Sequence, residues 1–138
     1  MKPALLDTGA IVALLDRSEG FHRHVVETVG ALESPLVTCE AVITESCYLL
    51  RNLSGGSEAV LENVASGVFQ IPFRLSTSVV EVRRILRKYR DLPADFADAC
   101  LIYLAGELRT GDILTLDQDF TIYRWGANKP FRTLISAQ

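Results

Sequence analysis

The chain has 138 residues, 49% of them hydrophobic and 22% charged, with a formal net charge of −3. That is the profile of an ordinary soluble globular protein, long enough for one domain with a buried core, and no apolar run reaches the roughly 18 residues of a membrane span. A polycation that grips nucleic acid without discrimination is excluded, although the charge is uneven: residues 1–70 hold four Lys/Arg and nine Asp/Glu, residues 71–138 ten and eight.

Residues 3–6 form a short apolar run ending at Asp7, which reads as a first strand. An acid stands there where a signal peptide would continue its apolar stretch, so a cytoplasmic protein is expected. Residues 8–15 read as a buried helix capped by Asp7 or Thr8, and a second helix is expected from Phe21 to about Leu32. A second strand follows at 35–38, then a third helix from about Cys39 to Leu53. Ser54-Gly55-Gly56-Ser57 is the clearest breaker. Beyond it come a helix over about 57–66 and a strand over 69–73. Residues 76–90 predict an amphipathic helix with Val79, Val82, Ile85, Leu86 and Tyr89 on one face. Pro93 separates it from a helix at about 95–109. A strand at 113–116 ends at Asp117, and a last strand is expected at about 131–135. This alternation predicts an α/β domain with a mostly parallel sheet. The three cysteines, Cys39, Cys47 and Cys100, are odd in number, lack zinc-type spacing and sit among apolar residues. They read as small buried side chains in a reducing compartment.

In such sheets the functional crevice lies outside the carboxyl ends of the strands. Asp7 and Asp117 stand at such ends. Two more acids interrupt helical stripes that should face the core: Glu45, with Ala41, Val42, Tyr48 and Leu49 as face neighbours, and Asp98, with Ala94, Asp95, Leu101 and Ile102. A carboxylate facing a core is costly unless paired, and neither helix offers a Lys or Arg on that face. One divalent ion shared by several carboxylates removes the difficulty, and Mg²⁺ or Mn²⁺ favours oxygen ligands. Each acid also has a plainer reading: a helix cap for Asp7, a turn for Asp117, the domain edge for Glu45, a helix first turn for Asp98. Their coincidence favours one site, with Asp95 and Asp119 close by.

These residues resemble the PIN-domain family, and within it the VapC-like toxins of toxin–antitoxin pairs. Leu5-Leu6-Asp7-Thr8-Gly9-Ala10 is similar to the family's opening motif, and Thr44-Glu45 matches its second acid. Asp95-Phe96-Ala97-Asp98-Ala99 resembles the third motif, and Thr115-Leu116-Asp117-Gln118-Asp119-Phe120 the closing one, with Asp119 a frequent companion. The resemblance implies a single three-layer α/β/α PIN-like domain over residues 1–138, with a mostly parallel sheet of about five strands. It implies catalytic acids at Asp7, Glu45, Asp98 and Asp117, with Asp119 joining them around one or two Mg²⁺ or Mn²⁺ ions. It further implies cleavage of RNA, a homodimer and inhibition by a small antitoxin.

With such a site, metal-activated water attacks the phosphodiester and leaves 5′-phosphate and 3′-hydroxyl ends. Thr8 and Thr115 are candidate hydroxyl donors that orient carboxylates or a phosphate. Arg83, Arg87 and Arg90, which share one side of the 76–90 helix, and Arg124 and Lys129 are candidates for RNA phosphates, against a plain solvated face. Trp125 reads as a packing residue more than a base platform. His22 and His24, two apart on a helix, point to different sides and do not suggest a histidine acid–base pair. The rivals are a metal-dependent phosphohydrolase of a small substrate, a catalytically silent binding module, and a phosphoacceptor receiver domain. The last is disfavoured because strand one ends in a single acid and the run at 69–73 ends in none.

Overall fold

A computed structural model describes residues 2–92 and 94–135; the expected breaker Pro93 lies outside the described residues. In chain order the elements are β1 (Ala4–Leu6), α1 (Thr8–Leu15), α2 (His22–Ala31), β2 (Leu36–Val37), α3 (Glu40–Leu49), α4 (Gly56–Ala65), β3 (Phe69–Gln70), α5 (Leu75–Lys88), α6 (Phe96–Leu108), β4 (Asp112–Leu114), a 3₁₀ turn (Gln118–Thr121), β5 (Arg124–Trp125), β6 (Lys129–Pro130) and β7 (Arg132–Thr133).

The central sheet is parallel throughout, in the order β3-β2-β1-β4-β7, with Leu5 opposite both Val37 and Ile113. A strand flanked on both sides and covered on both faces must be apolar at every position. Ala4, Leu5 and Leu6 meet that demand and are fully buried, as are Ile113 and Leu114. The chain runs outward from β1 through β2 to β3, then returns past β1 to β4. Right-handed crossovers place α1–α4 on one face and α5 with α6 on the other, which gives the expected three layers. The packing agrees: α1 contacts α2, α3 and α4, while α5 packs on α6. The reversal of direction falls between β1 and β4, and this switch point opens the crevice at their carboxyl ends.

Several boundaries differ from the sequence expectation. The third helix stops at Leu49, not Leu53, and α4 starts one residue early, at Gly56. A Cβ at Gly56 would collide with the Leu50 carbonyl oxygen, so only glycine lets the two helices approach this closely. The strand expected over 69–73 pairs only at Phe69 and Gln70, because its partner β2 is two residues long. Val79 does not share the buried face of α5: it is 41% exposed, and Ser78, Val82 and Ile85 point inward, with the Ser78 hydroxyl bonded to the Arg74 carbonyl. The β5–β6 hairpin was not expected, since two-residue strands are too short to show periodicity. It seats Trp125, whose indole N–H donates to the Pro130 carbonyl at 3.0 Å and whose ring fills the space beside Gly111. Trp125 is therefore a packing residue. Cys39 and Cys100 are buried and Cys47 half-buried, all as free thiols.

No helix among the described residues is long and apolar enough to cross a membrane.

Candidate active site

Asp7 follows β1 directly. Its backbone is extended, and its Oδ1 accepts the Thr8 N–H at 2.8 Å, capping α1. Its other oxygen accepts the Thr115 hydroxyl at 2.7 Å. That hydroxyl also receives the Asp117 N–H at 3.0 Å, so one threonine ties the two strand-end acids together. Asp117 stands past the end of β4 and caps the 3₁₀ turn by accepting the Asp119 N–H at 2.9 Å. Capping and site-building are thus the same geometry for both residues: the cap directs a carboxylate into the space beyond its strand.

Asp98 reaches that space from α6. It occupies the third position of the helix, and Asp95 caps the start by accepting the Asp98 N–H at 2.8 Å. The reciprocal contact, from the Asp95 N–H to the Asp98 carboxylate, is longer at 3.4 Å. The first-turn reading of Asp98 is therefore correct, and so is the core-facing one, because Asp98 is only 8% exposed. Its partner is one that the helix pattern could not show: the fully buried Tyr123 donates its hydroxyl to Asp98 Oδ2 at 3.1 Å. Tyr123 sits edge-on to both Tyr89 and Phe120, with ring centroids 5.0 Å away in each case, so its hydroxyl is held in place. The only sequence signal for it was an aromatic residue shortly after the closing acidic motif.

The expectation for Glu45 needs correction. It does not interrupt a buried stripe; Glu45, Tyr48 and Leu49 are all exposed, and α3 buries Val42, Ile43 and Ser46. Ser46 can take an inward position because its hydroxyl donates to the Val42 carbonyl at 2.7 Å. Glu45 nevertheless borders the cleft and accepts the Thr8 hydroxyl at 2.6 Å.

Asp7, Asp98 and Asp117 each offer a carboxylate oxygen, and these oxygens all lie within 4.8 Å of one another. Glu45 and Asp95 line the same cleft of about 310 Å³, but neither belongs to that trio. Asp119 is also outside it, half-buried on the 3₁₀ turn. No Lys, Arg or His lines the cleft among the described residues. Arg83 and Arg87 lie on α5, whereas Arg90 falls beyond its end at Lys88; all three are exposed and none lines the acid cleft. The Arg124 guanidinium donates to the carbonyls of Thr121, Ile122 and Tyr123, and Lys129 lies over the Trp125 ring. His22 approaches the Ala13 carbonyl instead.

Crowding of acids without cations has the expected electrostatic result. Burial pushes Asp7 up to about 6, with the charges of Asp117 and Glu45 adding to it and the Thr115 and Thr8 hydrogen bonds opposing. Burial, then the neighbouring charges of Asp95 and Asp7, push Asp98 up to about 7 against the Tyr123 hydrogen bond. Burial and the Asp98 charge in turn push the Tyr123 hydroxyl above its ordinary range, so it stays a donor. A site that resists full ionisation, offers only oxygen and holds no internal cation fits a hard divalent ion. The trio contains no His or Cys, which zinc or a softer metal would favour.

Comparison with known proteins is consistent with this geometry. The PIN domain family model matches residues 4–125, most of the chain. The chain is also 33% identical over 116 residues to Ribonuclease VapC26 of Mycobacterium tuberculosis, an alignment covering 83% of this chain and 86% of that protein.

Proposed function

Because the chain belongs to the PIN-domain family, we propose that it is a divalent-metal-dependent endoribonuclease of the VapC type. The observation that carries this reading is the trio Asp7, Asp98 and Asp117, with oxygens within 4.8 Å of one another and two of the three side chains buried.

In this reading Asp7, Asp98 and Asp117 hold one or two Mg²⁺ or Mn²⁺ ions. The bound metal supplies Lewis acidity that activates water near neutral pH and offsets charge on the phosphate. The chain's own residues do the rest. Thr115 fixes the rotamer of Asp7 and the backbone of Asp117 together, so the two carboxylates keep their separation as charge changes. Tyr123 fixes one oxygen of Asp98 and leaves the other for the cleft. Glu45, exposed and held by Thr8, is the acid best placed to accept a proton from attacking water. Asp119 lies outside the trio, close enough for its charge to act on Tyr123. Attack by water and not by the substrate's 2′-hydroxyl leaves 5′-phosphate and 3′-hydroxyl ends. With no Lys, Arg or His lining the cleft among the described residues, the RNA backbone beyond the scissile phosphate must be gripped outside it. The exposed Arg83, Arg87 and Arg90 are the groups proposed for that task. An inhibitory antitoxin and a second copy of the chain are the expected protein partners. Exposed Tyr48, Leu49, Leu53 and Leu61 on and around α3 and α4 offer apolar surface, and Leu49 also lines the cleft.

The test is incubation of purified, partner-free protein with RNA in Mg²⁺, Mn²⁺ or EDTA, followed by mapping of the cut ends. Asp7→Asn and Asp98→Asn serve as controls. Cleavage that survives EDTA, or equal cleavage by the controls, refutes the metal site. Ends bearing 2′,3′-cyclic phosphate refute attack by water. Phosphate release from mononucleotides with intact RNA would instead identify a small-substrate phosphohydrolase.

A further inference from the structure

A second hollow, of about 270 Å³, shares Leu116 and Asp117 with the acid cleft. Its apolar wall is made by Leu116, the half-buried Phe21 just before α2, and the buried Ile135. Its polar lining is Thr115, whose hydroxyl is already given to Asp7, with Gln118, Thr121 and Thr133. The Thr121 hydroxyl is already committed to the Gln118 carbonyl, at 2.7 Å. The exposed Gln118 side-chain amide makes no hydrogen bond among the described residues, so its donor and acceptor are both free for a ligand at the rim.

Charge decides what the hollow can take. Among the described residues its lining has no Lys or Arg and one carboxylate, Asp117. A phosphate there would meet a negative charge with nothing to offset it. An uncharged, flat group with a hydrogen-bonding edge finds there both an aromatic and aliphatic lining and a free amide. Bases of single-stranded RNA are read in this way, by apolar or aromatic contact on the ring and polar contact at the edge. The hollow's volume is of the order of the smallest small-ligand pockets, roughly 300 Å³, and is enough to seat a planar base.

Resting on the reading of the acid cleft as an RNA-cleaving site, we infer that this hollow is a base subsite: it holds the nucleobase next to the scissile phosphate, packed against Phe21 and read at its edge by Gln118. Gln118 is then a specificity residue. It is exposed and outside the acid trio, so it can be changed without touching the metal ligands.

The test compares wild type, Gln118→Ala and Phe21→Leu on a pool of short RNAs with randomised sequence. Wild type is expected to prefer certain bases at one position beside the cut. Gln118→Ala should flatten that preference by on the order of 10-fold, with Mn²⁺ affinity and thermal midpoint unchanged. Phe21→Leu should lower kcat/KM for all sequences through KM. Identical cleavage patterns and rates in wild type and Gln118→Ala would overturn the subsite. Should wild type cut no RNA at all, the proposed function falls, and the hollow is judged separately. ¹⁵N-labelled Asp98→Asn protein is titrated with an unstructured octanucleotide, and the Gln118 side-chain amide signal is followed. A shift supports base binding, and its absence overturns it. Shifts that follow protein concentration without RNA would mark the hollow as a contact between copies and would also overturn it.

Discussion

Replacing Asp98 by Asn is expected to stabilise the metal-free protein at alkaline pH while destroying its ability to use metal. Asp98 is 8% exposed and is pushed from an ordinary value near 3.8 to about 7. Between those values the folded protein holds a proton that the unfolded chain has released. Stability from this group is therefore complete below about pH 4 and is lost as pH rises through 7, at about 1.4 kcal/mol per pH unit. Over the interval from 3.8 to about 7 the loss comes to about 4 kcal/mol. Asparagine keeps the shape and an acceptor for the Tyr123 hydroxyl but carries no charge. At pH 8 in EDTA the variant should be more stable than wild type by about 2–4 kcal/mol, roughly 5–15 °C in thermal midpoint. At pH 4 the two should match. Adding Mn²⁺ at pH 8 should then raise the wild-type midpoint, as a ligand that binds only the folded state must, and leave the variant nearly unmoved. Urea titrations at pH 4, 6 and 8, with and without metal, measure all of this. A variant no more stable than wild type at pH 8 in EDTA, or a difference that does not grow with pH, would refute the claim that uncompensated charge dominates the cleft.

Three further substitutions test the supporting structure. Tyr123→Phe keeps the edge-on ring packing and removes one hydroxyl, so it should weaken Mn²⁺ binding by roughly 10–100-fold, read by calorimetric titration, with a modest stability loss of about 1–2 kcal/mol. Thr115→Val removes both the bond to Asp7 and the acceptor for the Asp117 N–H; kcat should fall at least about 10-fold, and Thr115→Ser should restore most of it. Gly111→Ala places a methyl group where the Trp125 indole nitrogen lies; a loss of about 2 kcal/mol or more in urea unfolding is expected, with a blue or red shift in tryptophan fluorescence reporting the displaced hairpin.

Some of this protein was written locally in the chain and some was not. Asp7 and Asp117 were legible because an acid that ends a short apolar run, in a chain alternating strands with helices, stands at a strand's carboxyl end whatever the details. Asp98 was legible because a carboxylate amid Ala97, Ala99, Cys100, Leu101 and Ile102 contradicts its surroundings. The same logic failed for Glu45. Hydrophobic periodicity identifies an apolar stripe but not whether that stripe is covered, and here Tyr48 and Leu49 stay in solvent while Ser46 turns inward. Val79 misled for the same reason.

Tertiary structure alone decided the rest. Tyr123 meets Asp98 across 25 residues of sequence and Thr115 meets Asp7 across 108, contacts that no local pattern encodes. Which acids come within ligand distance depended on the parallel pairing of β1 with β4 and on the docking of α6 over their ends. The four acids named from the sequence thus separate into a trio, Asp7, Asp98 and Asp117, and a neighbour, Glu45, on the rim. Residue type fixes what chemistry a side chain can do. Only the packing of the whole chain fixes its distance from the next one and its exposure to water, and those two quantities set the charge that a carboxylate cluster can bear.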